Sequence, residues 1–410
     1  MELWKLPEGW AWKKMSEISI INPRRPRIQR NDDAPTSFVP MQAVDELEGK
    51  IFQMQIRPYV KVKSGYNFFE ENDVLFAKIT PSMENGKAAI ARGLINGLGF
   101  GSTEFHVFHP NPGILPEWIF YYIRRKSFRE EARKNFRGAV GQQRVPEDFL
   151  IEYPIPLPYP DDPQRSLAEQ RRIVARLEMM LGEVREMRAT IREMRKDVDR
   201  LMEAVLGEAF SEGSRDLEPG RGVKWGERKL EEVVEIHDRS RKPVKETDRV
   251  HGNVPYCGAN GVIDYVEGYT HEGEFVLLAE DGGKFGAGEK SAYFMSGKFW
   301  ANNHVHILRG KFGLLETRYL LFALNYLDLT PYLTGTTRPK LTQGALRKIP
   351  IPLPYPDDPQ RSLAEQRRIV ARLEAIYQEI RAMQELLDQD ERAVNQLEQS
   401  ILAAAFRGEI

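Results

Sequence analysis

The sequence predicts two α/β (α+β) domains separated by two long helices that form an antiparallel coiled coil, with an internal pseudo-twofold repeat. The stretch PIPLPYPDDPQRSLAEQRRIVARLE occurs at 154–178 and again, unchanged, at 350–374, at an offset of 196 residues. Apolar residues recur at steps of three and four after each copy, and strand patterns precede each copy. A repeat at a fixed offset outranks local patterns, because missing it would misassign the whole fold.

The repeat divides the chain into four parts. A chain of 410 residues is longer than one ordinary hydrophobic core supports, so two or more domains are expected. We predict a first domain at 1–153 and a second domain at 217–349. Each is followed by a proline-rich join and a long helix, at 154–216 and at 350–410.

Prolines open each copy of the repeat and keep the chain extended before the helix. The tetrapeptide S-L-A-E follows, beginning at Ser166 and at Ser362. It predicts a capping box, in which the serine oxygen accepts from a first-turn amide and the glutamate three residues later reaches back. The first helix is therefore predicted to run from Ser166 to about Phe210, a length of about 65 Å.

Both predicted helices carry a heptad-like apolar seam. In the first helix this seam comprises Val174, Leu177, Leu181, Val184, Met187, Ile191, Met194, Val198, Leu201 and Val205. At offset 196 nine of the ten positions are again apolar or aromatic, and the exception is Asp390. A helix this long with one seam needs a partner helix, and its own copy is the comparable one. Antiparallel pairing would place the two domains at opposite ends.

The segments before the repeats share one order of elements. The patterns predict strands at 73–79, 106–108, 274–280 and 304–310, and helices at 116–136 and 314–327. The order matches between the two segments although the sequences barely do. The helix predicted at 116–136 has a basic face.

Composition fits a folded protein, with 41% hydrophobic and 29% charged residues. The formal net charge of −1 conceals a segregated distribution, since the segments 1–150 and 217–349 are mildly basic and the repeat segments are acidic. Such segregation permits phosphate contacts. Cys257 is the only cysteine, which excludes an intrachain disulfide and a thiolate metal cluster. The longest apolar runs are too short to span a bilayer and the N-terminus lacks a signal-peptide layout, so we expect a cytoplasmic protein.

The sequence lacks the motifs of several common classes of enzyme, and nothing in it points to a Ser/His/Asp site. No phosphate-binding loop of the form G-x-x-x-x-G-K-[ST] occurs, and DGGKFGAGEK at 281–290 has the wrong spacing for one. The tetrapeptide and the glycine-rich turn of amino-methyltransferases are also missing. The runs FHVFH and NNHVH lack the spacing of a metal site, so we expect their histidines to be satisfied core or edge residues. These patterns favour a binding protein over an enzyme.

Several of these segments resemble one family. LPEGWAWKKMSEI at the N-terminus, NDVLFAKITPSMENGKAAIA at 72–91 and FGSTEFHVFHP at 100–110 precede the first repeat, and GKFWANNHVHILRG at 297–310 and KLTQGALRKIPIPLP at 340–354 continue the layout. In this order, the duplicated set resembles the specificity (S) subunit of type I restriction-modification systems. The resemblance covers nearly the whole chain.

The resemblance implies a division of labour. Each variable domain would be a target recognition domain that reads one half of a bipartite site on double-stranded DNA, and the helices would separate the domains and dock partner subunits. The partners would be two modification (M) subunits, which bind S-adenosylmethionine and methylate adenine, and optionally two restriction (R) subunits, which use ATP and Mg²⁺. The chain itself would hold no cofactor and no metal and would perform neither methyl transfer nor cleavage.

Polar residues on loops after strands are the candidate DNA contacts, because amides and cations read base edges while cations and hydroxyls hold phosphates. In the first domain they are Lys78, Thr80, Asn85, Lys87, Ser102, Thr103, Glu104, Gln142, Gln143 and Arg144. In the second domain they are Glu280, Asp281, Lys284, Asn302, Asn303, His304, Thr336, Thr337, Arg338 and Lys340. Arg144 and Lys340 align at the repeat offset. The basic run RRPRIQR at 24–30 is a further candidate for backbone contact.

Two other classes of function remain open at this point. The chain could be a coiled-coil scaffold whose two domains bind proteins, in which case any DNA binding would be insensitive to sequence. It could also be an enzyme that acts alone on DNA, which would require activity from the isolated chain with a methyl donor or magnesium. The missing motifs make the lone enzyme the weakest of the three hypotheses.

Overall fold

The computed structural model describes residues 3–139, 141–210, 223–335 and 339–410. The chain forms two compact units. The first unit comprises Met1–Thr190 and Asp390–Ile410, and the second unit comprises Ile191–Gln389. Both unit boundaries fall inside the long helices, whereas the predicted domains end before them; the predicted domain bounds stay a prediction.

The elements of the first half of the chain match the predicted order. They are β1 Trp10–Lys14, α1 Met15–Ile18, β2 Ser19–Ile21, β3 Pro35–Val39, β4 Gln55–Pro58, β5 Asn67–Glu70, β6 Val74–Ala77, β7 Ala88–Ile90, β8 Leu98–Gly101, β9 Phe105–Pro110, α2 Pro116–Arg124, α3 Lys126–Lys134, α4 Glu147–Glu152, β10 Pro154–Pro158 and α5 Pro163–Phe210.

The second half repeats this order with small changes. Its elements are β11 Trp225–Lys229, α6 Leu230–Val233, β12 Val234–Ile236, β13 His251–Gly258, β14 Gly261–Val266, β15 His271–Glu272, β16 Phe275–Ala279, β17 Ala292–Met295, β18 Lys298–Ala301, β19 Val305–Gly310, α7 Thr317–Tyr326, α8 Gln343–Leu346, β20 Pro350–Pro354 and α9 Pro359–Arg407.

The two units share one sheet topology. In the first unit β2-β9-β6-β7 form an antiparallel sheet, and β4-β3-β8-β5 form a second sheet in which β3 and β8 are parallel. The second unit has β12-β19-β16-β17 and β14-β13-β18-β15 in the corresponding places, with β13 and β18 parallel. The central strands β6 and β16 are buried along their whole length. The predicted α+β class and internal repeat are confirmed.

The helix predicted at 116–136 is two helices. The backbone of Arg125 is extended (φ −60°, ψ 137°) and ends α2. Its guanidinium lies 3.7 Å from the centre of the Tyr122 ring, and the residue is 5% exposed. The break lets this cation stack on an aromatic face within the unit, which a periodicity argument does not foresee.

The proline-rich join is a β-strand. β10 pairs antiparallel with β1, so that Trp10 lies opposite Pro158 and Lys14 opposite Pro154. Proline is tolerated on such an edge strand because its missing N–H faces no ladder partner. The free carbonyls are used instead, since Pro156 accepts from the Trp118 indole at 3.0 Å and Pro154 from the Tyr122 hydroxyl at 2.6 Å. β20 pairs with β11 in the same register.

Both long helices begin three residues earlier than the capping box predicted. Asp162 accepts from the Arg165 amide at 3.0 Å, and Asp358 accepts from the Arg361 amide at 3.1 Å. Aspartate is a strong N-cap and proline is favoured at the first helical position. Ser166 is therefore buried inside the first turns of the helix, where its hydroxyl accepts a hydrogen bond from the side-chain amide of Gln170 at 3.1 Å.

A fully buried glutamine in each copy of the repeat ties its helix to the neighbouring domain. The Gln170 side chain accepts from the Leu115 amide at 2.9 Å and donates to the Gly113 carbonyl at 3.0 Å. Gln366 makes the corresponding bonds to Glu316 at 2.8 Å and Leu314 at 3.1 Å. These contacts give one structural reason for the identity of the two copies.

Polar contacts show that α5 and α9 run antiparallel. In the first unit the Arg188 guanidinium donates to Asn395 at 2.7 Å and pairs with Glu398, while Arg172 donates to the Ile410 carbonyl at 2.8 Å. Residue numbers therefore fall on α9 as they rise on α5. In the second unit Arg195 pairs with Asp388 at 2.8 Å and Glu208 pairs with Arg372 at 3.0 Å.

The end of each long helix completes an aromatic core. In the first unit the Phe406 ring lies 4.7 Å from Trp118 and 4.9 Å from Tyr122. In the second unit Phe210, at the equivalent position of α5, lies 5.3 Å from Tyr319. Both phenylalanines are buried, and such ring pairs add stability beyond their area.

The predicted apolar seam is only partly buried. Val174, Leu177, Leu181, Val184, Ile191 and Val198 are buried, as are Val370, Leu373, Ile380, Leu387, Val394 and Ile401. Met187, Met194 and Leu201 are instead 43%, 51% and 41% exposed. Steps of three and four describe two neighbouring stripes equally well, so the predicted set mixed the buried stripe with an exposed one.

Replacing Gln170 with alanine should lower the free energy of unfolding by about 1–3 kcal/mol, because the buried Leu115 amide and Gly113 carbonyl lose their partner. Urea denaturation of the full chain followed by tryptophan fluorescence measures this change. The matched control is Gln164→Ala, since Gln164 is exposed on the same helix and should change stability by less than about 0.5 kcal/mol. Equal stability of the two variants would contradict the role of Gln170.

Candidate nucleic-acid interface

The structure brings three predicted segments of the first unit together at one end of β6 and β9. The Lys78 amide donates to the Glu104 carbonyl at 2.9 Å, and the Lys78 carbonyl accepts from Val145 at 2.9 Å. The Thr80 amide donates to the Gln143 carbonyl at 3.0 Å. We call the side chains of 78–80, 102–104 and 142–144 the first candidate site.

An ion pair crosses the first candidate site. The Arg144 guanidinium donates from Nε and Nη2 to the two Glu104 carboxylate oxygens, at 2.8 and 2.9 Å. The hydrogen bond from Arg144 lowers the pKa of Glu104 against the opposing effect of burial. Arg144 also donates to the Gln142 carbonyl at 2.8 Å. Arg144 thus holds its own loop, and its side chain, 40% exposed, reaches a base only by leaving Glu104 or by sharing its remaining donors.

Four other side chains of the first candidate site make no side-chain hydrogen bond within the described residues. They are Lys78, Thr103, Gln142 and Gln143, and Thr103 and Gln142 are exposed. Ser102 differs, because its hydroxyl accepts from the Glu104 amide at 3.2 Å. The free amides and ammonium are of the types that read base edges or hold phosphates.

The loop at 80–87 forms a separate group beside this site. Thr80 donates to Glu84, and the Asn85 amide donates to Glu46 at 3.2 Å. Lys87 lies 3.5 Å from the Met41 carbonyl. Asn85 is exposed at the loop, so of these predicted contacts it is the one presented to solvent.

The second unit builds its site on the same backbone plan. The Glu280 amide donates to the His304 carbonyl at 2.8 Å, and the Glu280 carbonyl accepts from Leu341 at 2.8 Å. Lys340 lies on the neighbouring loop, bridged to Asp281. Glu280, Asp281, Asn302, Asn303, His304 and Lys340 form the second candidate site.

The carboxylate that pairs with the aligned cation lies next to a different strand in each of the two sites. Lys340, which aligns with Arg144, pairs with Glu280 at 2.7 Å, at the end of β16. Arg241 also donates to Glu280. Burial acts to raise the pKa of Glu280, but the hydrogen bonds from Lys340 and Arg241 outweigh it and lower that pKa.

The remaining predicted residues of the second unit divide into bonded and free side chains. The His304 Nδ1 lies 2.6 Å from Asp281, and buried Asn302 accepts from the His304 amide at 2.8 Å. Lys284 and Asn303 are exposed and make no side-chain hydrogen bond within the described residues. Thr336, Thr337 and Arg338 lie outside the described residues.

Two buried histidines hold the loops of the candidate sites. The His106 Nε2 contacts the Val145 carbonyl at 2.8 Å, and the His306 Nε2 contacts the Leu341 carbonyl at 2.7 Å. Burial lowers the pKa of His106. The sequence predicts satisfied histidines but not their role in positioning the loops; the available signal is that Val145 and Leu341 align at the repeat offset.

Other features of the described residues bear on the predicted site. In the run at 24–30, Arg25 donates to the Lys63 carbonyl and Arg30 to the Pro35 carbonyl, while Arg24 and Arg27 are exposed.

Within the ranges that the structure describes, no group of three or more His, Cys, Asp or Glu residues could hold a metal ion. Searching those same ranges for a helix that could cross a membrane finds none.

Comparisons with known proteins match this architecture. A family model described as the type I restriction modification DNA specificity domain matches residues 7–188 and again residues 222–391. A putative type I restriction enzyme specificity subunit of Haemophilus influenzae is 51% identical over 135 residues, which cover 33% of this chain and 34% of that protein. The EcoAI specificity subunit of Escherichia coli is 33% identical over 205 residues, which cover 50% of this chain and 33% of that protein. The chain thus spans about a third of the length of these relatives.

Solved structures extend the similarity to the whole chain. One, described as the structural basis underlying complex assembly and conformational transition of the type I R-M system, has a TM-score of 0.78 at 28% identity and covers 100% of both chains. The crystal structure of the HsdS subunit from Thermoanaerobacter tengcongensis has a TM-score of 0.54 at 27% identity and covers 99% of each. Since the two segments that the family model matches together make up well over half of the residues, this chain belongs to the family of type I restriction-modification DNA specificity subunits.

Proposed function

We propose that each unit reads one half of an asymmetric bipartite site on double-stranded DNA. The observation that carries this proposal is the matched backbone of the two candidate sites, which present different side chains at equivalent positions. Glu104 and Arg144 in the first unit correspond to His304 and Lys340 in the second. Equal frames with different polar groups would read different bases, so the two half-sites would differ and the target would not be a palindrome.

The free side chains are the readers in this proposal, and the bonded ones support them. Gln142, Gln143 and Asn303 carry amides that can bind adenine through two hydrogen bonds, while Lys78 and Lys284 can bind guanine or a phosphate. The ion pairs Arg144–Glu104 and Lys340–Glu280 hold the loops from which these groups project. This assignment narrows the predicted contacts to side chains that need not break a protein bond to reach DNA.

The chemistry would belong to partner subunits. We propose that two M subunits bind S-adenosylmethionine and methylate an adenine of each half-site, after flipping it out of the stack. R subunits, where present, would use ATP and Mg²⁺ for cleavage. This chain would be a non-catalytic subunit that selects the DNA address.

The exposed apolar stripe of the long helices is a docking surface in this proposal. In the first unit it includes Met179, Met187 and Leu397, and in the second unit Met194, Leu201, Met383 and Leu386. The members on α5 are spaced by about seven residues, which suits a partner helix packed along this helix, and flexible methionines adapt to such a partner. We assign the occupant as a helix of each M subunit.

The length of the helices would set the spacing of the half-sites. α5 has 48 residues and α9 has 49, and a helix of this size is about 70 Å long. That length corresponds to about 20 base pairs at 3.4 Å per pair, which is an upper limit on the separation of the half-sites. The coiled coil would thus act as a spacer.

The double substitution Gln142→Ala with Gln143→Ala should weaken binding to the cognate site by about 1–3 kcal/mol and relax specificity in the first half-site only. Asn303→Ala should also weaken binding, but it should relax specificity in the second half-site only. Competition binding of the full chain in complex with its M subunit, against DNA mutated in either half, measures both effects. Binding that is insensitive to DNA sequence in the unsubstituted complex would favour a protein-binding scaffold instead.

Lengthening both helices should lengthen the unread spacer. A seven-residue insertion after Arg195 in α5, with a second before its partner Asp388 in α9, keeps the heptad register and adds about 10 Å to each helix. The preferred target should gain about three base pairs between unchanged half-sites. The control is the same insertion in α5 alone, which breaks the pairing register and should reduce binding. An active double insertion with an unchanged spacer would refute the spacer role.

A further inference from the structure

A cavity of about 540 Å³ in the first unit is lined by an excess of cations. It lies between α3, the loop tip at Asn85 and Gly86, and residues 395–400 of α9. Arg124, Lys126, Arg129 and Arg188 line it. Its size falls in the range of small-molecule and cofactor sites, and the proposed base contacts do not use it.

Two of these arginines form no close ion pair with a carboxylate within the described residues, although the charge of Glu398 acts on both. Arg129 donates to the Glu84 carbonyl at 2.6 Å, and Arg124 donates to the Leu47 carbonyl at 2.7 Å. A backbone carbonyl accepts a hydrogen bond but neutralises no charge. Burial lowers the pKa of both guanidinium groups against the opposing charge of Glu398, and the charge of Arg129 lowers the pKa of Arg124 further.

The acidic groups of the cavity are already engaged. Glu398 pairs with Arg188, and Glu46 accepts from the Asn85 amide at 3.2 Å. Lys126 is largely exposed, and its ammonium lies 3.8 Å from Glu130. The two carboxylates therefore leave a net positive charge in the cavity.

Unpaired donors accompany this excess charge. The Nη1 atom of Arg124 and the Nε atom of Arg129 are inaccessible to solvent and donate no hydrogen bond. Buried polar groups are nearly always paired, and an uncompensated buried charge is costly. The chain retains two unpaired buried donors beside a cavity of net positive charge, which is the arrangement expected of a site whose anion arrives from outside.

We propose that this cavity, which we call the α3 cavity, binds one phosphate group. A phosphate carries up to two charges and several acceptor oxygens, and arginine forks bind it with two parallel hydrogen bonds. Small rotations of Arg124 and Arg129 would turn their unpaired N–H bonds toward it. The side-chain amide of Gln396, which also lines the cavity, would complete its shell.

The source of the phosphate is the DNA backbone next to the first half-site. The cavity borders the loop at 80–87 through Asn85 and Gly86, and Arg129 and Arg133 hold that loop through Glu84. Gly86 has φ +83° and lies so close to Arg129 that a β-carbon there would be 2.9 Å from Nη1. Only this assignment of the source rests on the proposed function; phosphate binding itself does not.

The second unit has no counterpart of α3 in its described residues. After α7 the chain passes through a short 3₁₀ turn at Thr330–Tyr332, and Tyr377 of α9 packs against Phe322 of α7 with ring centres 5.2 Å apart. The phosphate contact would therefore belong to one half-site only, and it would add an asymmetry that base reading alone does not supply.

The test compares Arg129→Gln with Arg133→Gln in the full chain assembled with its M subunit. Arg133 is the matched control, because it lies on the same helix, is 71% exposed and pairs with Glu84 outside the cavity. The first measurement is thermal denaturation during a titration with inorganic phosphate at constant ionic strength. The second is the salt dependence of binding to DNA that lacks the target sequence.

We expect phosphate to stabilise the unsubstituted complex and the control, and to act at least about tenfold more weakly on Arg129→Gln, which has lost a charge-assisted contact. Arg129→Lys should restore part of the effect by returning the charge. A salt slope lower by about one for Arg129→Gln assigns the DNA backbone as the source. An unchanged slope with lost phosphate stabilisation assigns free phosphate.

An identical response of Arg129→Gln and Arg133→Gln in both measurements would overturn the α3 cavity as a phosphate site. Because neither measurement uses the target sequence, this result is distinct from failure of the proposed function. If the unsubstituted complex bound DNA without sequence specificity, the proposed function alone would be overturned.

Discussion

The antiparallel pairing of α5 with α9 is the constraint on which the rest of the molecule depends. Each helix is tied at its start to one domain by a buried glutamine, Gln170 or Gln366, and ends as a phenylalanine in an aromatic core. Phe406 completes the first unit and Phe210 the second. Each unit needs the far end of a long helix to bury its aromatic rings. Exposed pairs such as Arg195–Asp388 add little to this; burial of the helix ends contributes far more.

This arrangement separates what must stay constant from what can vary. The buried histidines His106 and His306 and the backbone bonds between strand ends and loops are the same in both units. The side chains on that frame differ. The carboxylate that pairs with the aligned cation is Glu104, directly before β9, in the first unit and Glu280, directly after β16, in the second. A frame held by buried contacts tolerates exchange of exposed polar groups, so the two units can present different polar groups on the same frame. The α3 cavity adds a cationic feature to the first unit.

Much of the fold followed from the sequence, because the exact repeat and the heptad spacing report on long-range order directly. The repeat predicted two equivalent domains and two long paired helices, and both are present. Local signals were less decisive: Asp162 and Ser166 are both good caps, and only the fold shows that aspartate is used. Spacing could not separate the buried Ile191 from the exposed Met194. Pairing of Arg144 with Glu104, 40 residues away, and the break at Arg125 depend on tertiary contacts that no local pattern encodes.

The central claim is that this chain alone selects a split DNA address for a methyltransferase partner. Long-read mapping of methylated adenine tests it most directly, in cells that carry the M subunit with and without this chain. The account predicts one asymmetric motif of two unlike half-sites with a fixed unread spacer, methylated only when the chain is present. Methylation of a continuous or palindromic motif, or a motif that persists without the chain, would contradict it.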